Sequence, residues 1–483
     1  MNISEIFNLS KSQFELDFVN IDPTRDTPLF LDPHLIGLGQ DAWTEHAAEK
    51  IRSFFQRVVT LLRTGDIETA RAIFSHLGEP NETCLGMSKG SPQGRGPGKT
   101  DAARIFAKMS TSRAVLTGLV DDLEDSAIFV DGIGPDKLSD ITTNILRGML
   151  IEYTQMQCGF WGIPLRSGVA SGPIWNSDTL QWEQKHTEML IVKGKKILLV
   201  PKGIVAWNSL YTPYQYYQFD ILCFLQQEQL RLGTSLVRKL RKKKGAEELL
   251  PPYKKTLTEK GLAVFNREFL ASFTTEHPEV FANFKDRIAK LAAAWTPFNE
   301  EEMHLGEVIS ALQAQYTTIS PGTQGATKYH RLTAGALELL AYPNLRTPTI
   351  EKPLYGGRKR VDISFPNAAL SGFFIELVQI HQVPCRIVFV ECKNYSDDLA
   401  NPEIDQLLGR FSVNSGKFGI VTCRTVENRL LLLNRCADIW KAQQSAIIVM
   451  TDQDIIEVLE ARRTNPEAIS NFLRARFSEL ITT

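Results

Sequence analysis

The sequence predicts an α/β protein in two unequal parts: a C-terminal mixed sheet flanked by helices, preceded by a large α+β N-terminal region. Three observations predict it. After about residue 327, short apolar runs alternate with segments of helical period, the pattern of a sheet covered by helices. Before that point, helical segments surround a few strand-like runs and one hairpin. Between the two, Ser320-Pro321-Gly322-Thr323-Gln324-Gly325 sets proline, two glycines and polar residues in six positions, a domain boundary.

Bulk properties bound the function classes. A chain of 483 residues holds two or three domains, and 43% hydrophobic residues with a formal net charge of -1 describe an ordinary globular protein. Near-neutrality leaves nucleic acid binding open, because only local charge meets phosphates. No apolar run is long enough to span a bilayer, and Met1-Asn2-Ile3-Ser4-Glu5 has neither the basic cluster nor the apolar core of a signal peptide. Seven cysteines lie scattered without a CxxC pair, as expected for reduced thiols in a cytoplasmic protein with no membrane partner.

Residues 1–165 read as a mixed α/β region for recognition, sensing or assembly. Leu29-Phe30-Leu31-Asp32-Pro33 and Ala127-Ile128-Phe129-Val130-Asp131-Gly132 share one shape: apolar strand, aspartate, turn former. Trp43 to Leu77 and Pro135 to about Gln157 carry helical signals between and after them. The stretch Gly86 to Thr100 contains Gly98-Lys99-Thr100, but Gln93 stands where a phosphate-cradling loop needs its first glycine. It reads as a basic surface loop. The acidic run Asp121, Asp122, Glu124, Asp125, Asp131, Asp136 and Asp140 reads as solvated faces and helix starts, with a second metal as the alternative.

Residues 166–319 read as a hairpin followed by helices and a basic patch. Met189–Val192 and Ile197–Val200 flank a Lys-Gly-Lys turn. Residues 231–260 hold ten Lys or Arg against three Glu, including Arg238, Lys239, Arg241, Lys242, Lys243 and Lys244. This run is either a helix-ending solvated tail or a surface for the sugar-phosphate backbone. The upstream tyrosines read as core and interface residues, with base stacking as the alternative. Three helical segments follow, ending near Tyr316.

Residues 320–483 then give, in order, a helix from Tyr329 to Tyr342, a turn feeding the strand Val361–Phe365, and a segment from Gly372 to Gln382. The strand Arg386–Cys392, a helix Pro402–Asn414 and the strand Phe418–Thr422 come next. A helix from Glu427, the strand Ala446–Met450 and terminal helices close the chain. Glu391 and Lys393 stand two apart on one strand and so share a face, while Cys392 points the other way. If the two runs are neighbours, Asp362 joins them at the sheet edge. Two carboxylates beside an ammonium are costly unless a divalent cation completes the group, which is the constellation of metal-dependent phosphodiester hydrolysis. An isolated Glu-x-Lys is otherwise a solvated edge pair, yet this one ends the apolar run Ile387–Val390.

Asp362, then Glu391-x-Lys393, then Gln406 on the following helix resembles the PD-(D/E)xK nuclease superfamily. Val390-Glu391-Cys392-Lys393-Asn394-Tyr395, Gln406-Leu407-Leu408-Gly409 and Gly419-Ile420-Val421-Thr422 are similar to its Mrr-type restriction endonuclease branch, over about 160 residues from Thr327. The resemblance implies a restriction-endonuclease-like fold and a Mg²⁺-dependent DNA endonuclease, with Mn²⁺ as the alternative cation. It implies a prokaryotic restriction or anti-phage role on duplex DNA, as a homo-oligomer. Asp362, Glu391 and the backbone carbonyl of Cys392 would hold the metal, Lys393 would orient or deprotonate the attacking water, and Gln406 would complete the site. Arg410 and the Arg358-Lys359-Arg360 run would meet phosphates. Many relatives carry a glutamate after an aromatic residue in the first helix. Here Tyr329 is followed by His330, and Glu338 is the carboxylate expected to serve. Two other readings stand beside this one: an inactive nuclease-fold binding or assembly module, and an NTP-dependent enzyme using Gly98-Lys99-Thr100.

Overall fold

The computed structural model describes residues 1–86, 98–207, 209–241, 247–292, 305–354, 359–395, 399 and 401–483. Lys242, Lys243, Lys244 and Arg358 lie outside the described residues, as does most of the glycine-rich stretch; the side chains of Arg241, Lys359 and Arg360 also fall outside them. Two apolar cores organise the rest. One gathers side chains from Ile3 to Ile288, so it does not divide at residue 165. The other gathers side chains from Ile309 to Leu480.

The N-terminal core is built around the long helix Pro135–Trp161, which packs on the helix Ala42–Thr64. Asp41 caps that second helix through its carboxylate, and Gly65, left-handed at φ 84°, ends it. The hairpin forms, with His186–Val192 pairing antiparallel to Lys195–Ile197 across Lys193 and Gly194. Its second strand starts at Lys195 and ends at Ile197, and does not run on to Val200 as expected. Two other expectations are corrected here. Ala127–Val130 is not a strand: residues Asp125–Phe129 form a short helix, all five buried. Arg238–Arg241 is not a helix-ending tail but a strand paired antiparallel with Glu247–Leu250. In it Arg238 lies 3.8 Å over the Tyr253 ring and donates to the Pro251 carbonyl at 2.8 Å, while Lys239 is exposed. The upstream tyrosines split as core would: Tyr211, Tyr216 and Tyr217 are buried and Tyr214 is exposed.

The acidic run is likewise not a solvated face throughout. Asp125 is buried and accepts from the Tyr211 hydroxyl at 2.5 Å and from Lys285 Nζ at 3.0 Å. Lys285 thus supplies the cation there.

The C-terminal core begins with α1 (Leu305–Thr318), which packs against α2 (Thr323–Ala341) and a helix near the C-terminus. This core therefore reaches back across the Ser320–Gly325 turn. The turn is tight: a Cβ on Gly325 would stand 2.2 Å from the Ser320 carbonyl oxygen. The sheet follows as β1 (Thr349–Leu354), β2 (Lys359–Pro366), β3 (Ile387–Lys393), β4 (Phe418–Cys423) and β5 (Ala446–Thr451), in that spatial order. The pairs β1–β2 and β2–β3 are antiparallel, and β3–β4 and β4–β5 are parallel, so the sheet is mixed. Helices α3 (Phe373–Gln379), α4 (Asn401–Leu408), α5 (Arg429–Gln443), α6 (Asp452–Arg462) and α7 (Ala468–Thr482) complete the unit. Strand β3 is central, and Val388, Phe389 and Val390 are all buried. Among the described residues, no helix is long and apolar enough to cross a membrane.

Candidate active site

The site lies where the C-terminal end of β3 meets the middle of β2. Ile363 pairs with Val390, and one more step of that antiparallel register sets Asp362 across from Glu391 on the same face. The Cys392 backbone N–H donates to Asp362 Oδ2 at 2.8 Å, which fixes the aspartate. Lys393 follows Glu391 on that face and donates to Glu391 Oε1 at 2.8 Å. It also donates to Gln406 Oε1 at 3.0 Å.

Gln406 reaches the lysine because α4 docks on the sheet through Ile404 and Leu407, both buried and three residues apart. The helix ends at Leu408, not near Asn414 as expected, so Arg410 sits just beyond it. Arg410 does not reach outward for phosphate. It is 3% exposed and its guanidinium is paired with Glu391 Oε2. Glu391, itself 2% exposed, therefore carries a cation on each oxygen. The group balances two carboxylates, the buried Glu391 and the partly exposed Asp362, with two cations. Cys392 points the opposite way, and burial pushes its thiol far above the ordinary range. The thiol stays protonated, so only its backbone carbonyl could serve as a donor.

Glu338 is not part of this group. It lies eight residues after His330 on α2, roughly 12 Å along the helix. There it pairs with Lys202 at 3.0 Å against the N-terminal unit. Burial pushes its carboxyl up to about 7, opposed by Lys202. The residue of α2 that does face the site is His330, whose Nε2 lies 3.9 Å from Asp362 Oδ2. Its position is set by Tyr329, buried and donating to Asp452 Oδ1 at 2.9 Å. Arg424 pairs with the same aspartate at 3.1 Å. Asn394, next after Lys393, donates to the carbonyls of Ser320 and Gly322 at 3.1 and 2.8 Å and so ties the start of α2 to the end of β3. The sequence signal for His330 was its place after Tyr329, where many members of the resembled family carry a glutamate.

Among the described residues, no three His, Cys, Asp or Glu side chains stand close enough together to hold a metal. The donor chemistry nonetheless suits a hard divalent cation: carboxylate oxygens of Asp362 and Glu391, with the Cys392 carbonyl beside them. Glu391 can join only if Arg410 yields its oxygen.

Comparison with known proteins touches the other end of the chain. A family model described as a domain of unknown function (DUF8370) matches residues 8–212, which include Asp17 and Lys202 and exclude the candidate site. No curated protein and no solved structure matches the chain.

Proposed function

We propose that the C-terminal unit is a restriction-endonuclease-like domain of the Mrr type, and that it hydrolyses DNA phosphodiester bonds with a divalent cation. The convergence of Asp362, Glu391, Lys393 and Gln406 where the end of β3 meets β2 carries this reading. Two acids on adjacent strands, an ammonium two residues after one of them and an amide holding that ammonium form a compact apparatus for phosphoryl chemistry. Asp362, Glu391 and the Cys392 carbonyl would hold Mg²⁺ or Mn²⁺, which supplies Lewis-acid stabilisation of charge on the phosphate. Lys393, oriented by Glu391 and Gln406, stands where it can fix a water and offset the negative charge that develops during attack. Arg238 and Lys239 of the basic hairpin are candidates for backbone contacts, together with the Arg358–Arg360 and Arg241–Lys244 runs. A defence role in a prokaryotic cytoplasm, as a homo-oligomer cutting both strands, belongs to the same proposal.

The pairing of Arg410 with Glu391 favours a second reading, an inactive module that keeps the fold. There the guanidinium permanently fills the position a metal would take.

Incubation of supercoiled plasmid with the full chain and Mg²⁺ or Mn²⁺ separates the two. The nuclease reading expects cleavage by wild type, abolished by EDTA and by Asp362→Ala, and reduced at least about 100-fold by Lys393→Ala. Calorimetry of metal binding supplies a second measure, with a heat that Asp362→Ala removes. No cleavage together with no metal binding would leave the inactive module.

A further inference from the structure

The ring of His330 faces Asp362 across a gap with no direct bond. Their 3.9 Å separation is longer than a hydrogen bond and near the roughly 3–3.5 Å between donors that share one cation at ligand distances of about 2.1 Å. Asp362 Oδ2 is already satisfied by the Cys392 N–H, so the carboxylate does not need the imidazole as a hydrogen-bond partner. The ring is held in place from behind. Tyr329 is anchored by Asp452 and Arg424, and Asn394 clamps the start of the same helix to the strand that carries Glu391 and Lys393. Both His330 and Asp362 are about one-fifth exposed, open enough for an ion to enter.

We infer that His330 is a protein donor to the cation of this site, and that its nitrogen tilts the site toward Mn²⁺ over Mg²⁺. The inference rests on the metal-site reading of Asp362 and Glu391 given above. An all-oxygen set suits Mg²⁺, which dehydrates reluctantly and keeps oxygen ligands, whereas the softer, more readily dehydrated Mn²⁺ accepts an imidazole nitrogen beside carboxylates. The site then uses a neutral imidazole and an aspartate from two different elements. Glu391 joins as a third side chain when Arg410 releases it.

The test uses the full chain and does not depend on cleavage. Mn²⁺ is titrated into wild type, His330→Ala, His330→Gln and Asp362→Ala, and the bound ion is followed by pulsed electron paramagnetic resonance. Wild type should bind Mn²⁺ at least about tenfold more tightly than Mg²⁺ in competition. Its spectrum should show nitrogen coupling that changes when the protein is made with ¹⁵N-labelled histidine, a readout that needs no variant to fold. Both His330 variants should lose the coupling and the Mn²⁺ preference, with Mn²⁺ affinity falling at least about tenfold. Mn²⁺ bound in an Asp362-dependent manner without nitrogen coupling would overturn the role of His330 and leave the carboxylate site standing. Mn²⁺ binding that Asp362→Ala does not weaken, or no binding at all, would overturn both.

Discussion

Glu124 shows how strongly local burial sets chemistry in this chain. Burial pushes its carboxyl up to about 8, and the neighbouring Asp125 and Asp122 push the same way against Lys285. The folded chain thus holds this proton more tightly than the unfolded chain does. The stability tied to it is complete below the ordinary carboxyl value of 4.5 and is lost as pH rises toward 8. Asp140, raised to about 7, and Asp32, raised to about 6, act in the same direction. Melting temperature should therefore fall between about pH 5 and pH 8.5, and Glu124→Gln should flatten that fall and add on the order of 1–2 kcal/mol at the alkaline end. Equal pH slopes for the two proteins would show that Glu124 is ionised without penalty. Residues of this kind mark what the sequence could disclose. Glu391 and Lys393 were legible as partners because strand period alone puts them on one face. The placing of Asp125 beneath Lys285, of Arg410 on Glu391, and of His330 beside Asp362 was not, because each depends on how a helix docks from a distance.

The elements that carry the site were mostly legible, and the exceptions have physical causes. The strands Ile387–Lys393, Phe418–Cys423 and Ala446–Thr451 each open with a continuous apolar run, as parallel strands covered by helices do. Thr349–Leu354 escaped notice because it is an edge strand containing Pro353, a residue that argues against a strand except at an edge. Asp125–Phe129 misled in the opposite sense: a helix buried on every side leaves no periodicity to read. Gly419 on β4 links these elements to the chemistry. A Cβ there would stand 2.9 Å from Leu407 Cδ2, 3.0 Å from the Phe389 carbonyl oxygen and 3.1 Å from the Phe411 ring. The bare glycine lets α4 lie against the sheet, and α4 sets where Gln406 meets Lys393. Gly419→Ala should cost roughly 1–3 kcal/mol by thermal or urea unfolding, and should lower cleavage more than Leu370→Ala, a change at an exposed side chain. A Gly419→Ala protein as stable and active as wild type would mean that α4 shifts freely on β4.

At the scale of the whole molecule, a seam of buried polar groups joins the two apolar cores. Asp17 is buried, accepts from the Tyr153 hydroxyl at 2.5 Å and from the Thr347 N–H of the C-terminal unit at 2.9 Å. Lys202 lies beside it, donates to the Phe14 carbonyl at 3.2 Å, and reaches across to Glu338 at 3.0 Å with its ammonium 4.5 Å from the Tyr342 ring centre. Lys11 pairs with Glu15 at 2.6 Å and contacts Gln315 of α1 at 3.4 Å. None of this could be read from one sequence, since the partners lie far apart along the chain and no periodicity connects them. It does explain why Glu338, a carboxylate on the first helix of the candidate nuclease unit, serves the join between units instead of the site. Removing one partner of a buried pair leaves an uncompensated charge, at a cost of about 3–5 kcal/mol, whereas replacing both by apolar groups costs far less. Lys202→Met should therefore destabilise the chain by about that amount and split its urea unfolding into two transitions as the units separate. The double change Lys202→Met with Glu338→Leu should recover at least half of the loss. Additive single and double effects would show that Glu338 is held protonated and unpaired, so that the apolar contacts alone hold the two units together.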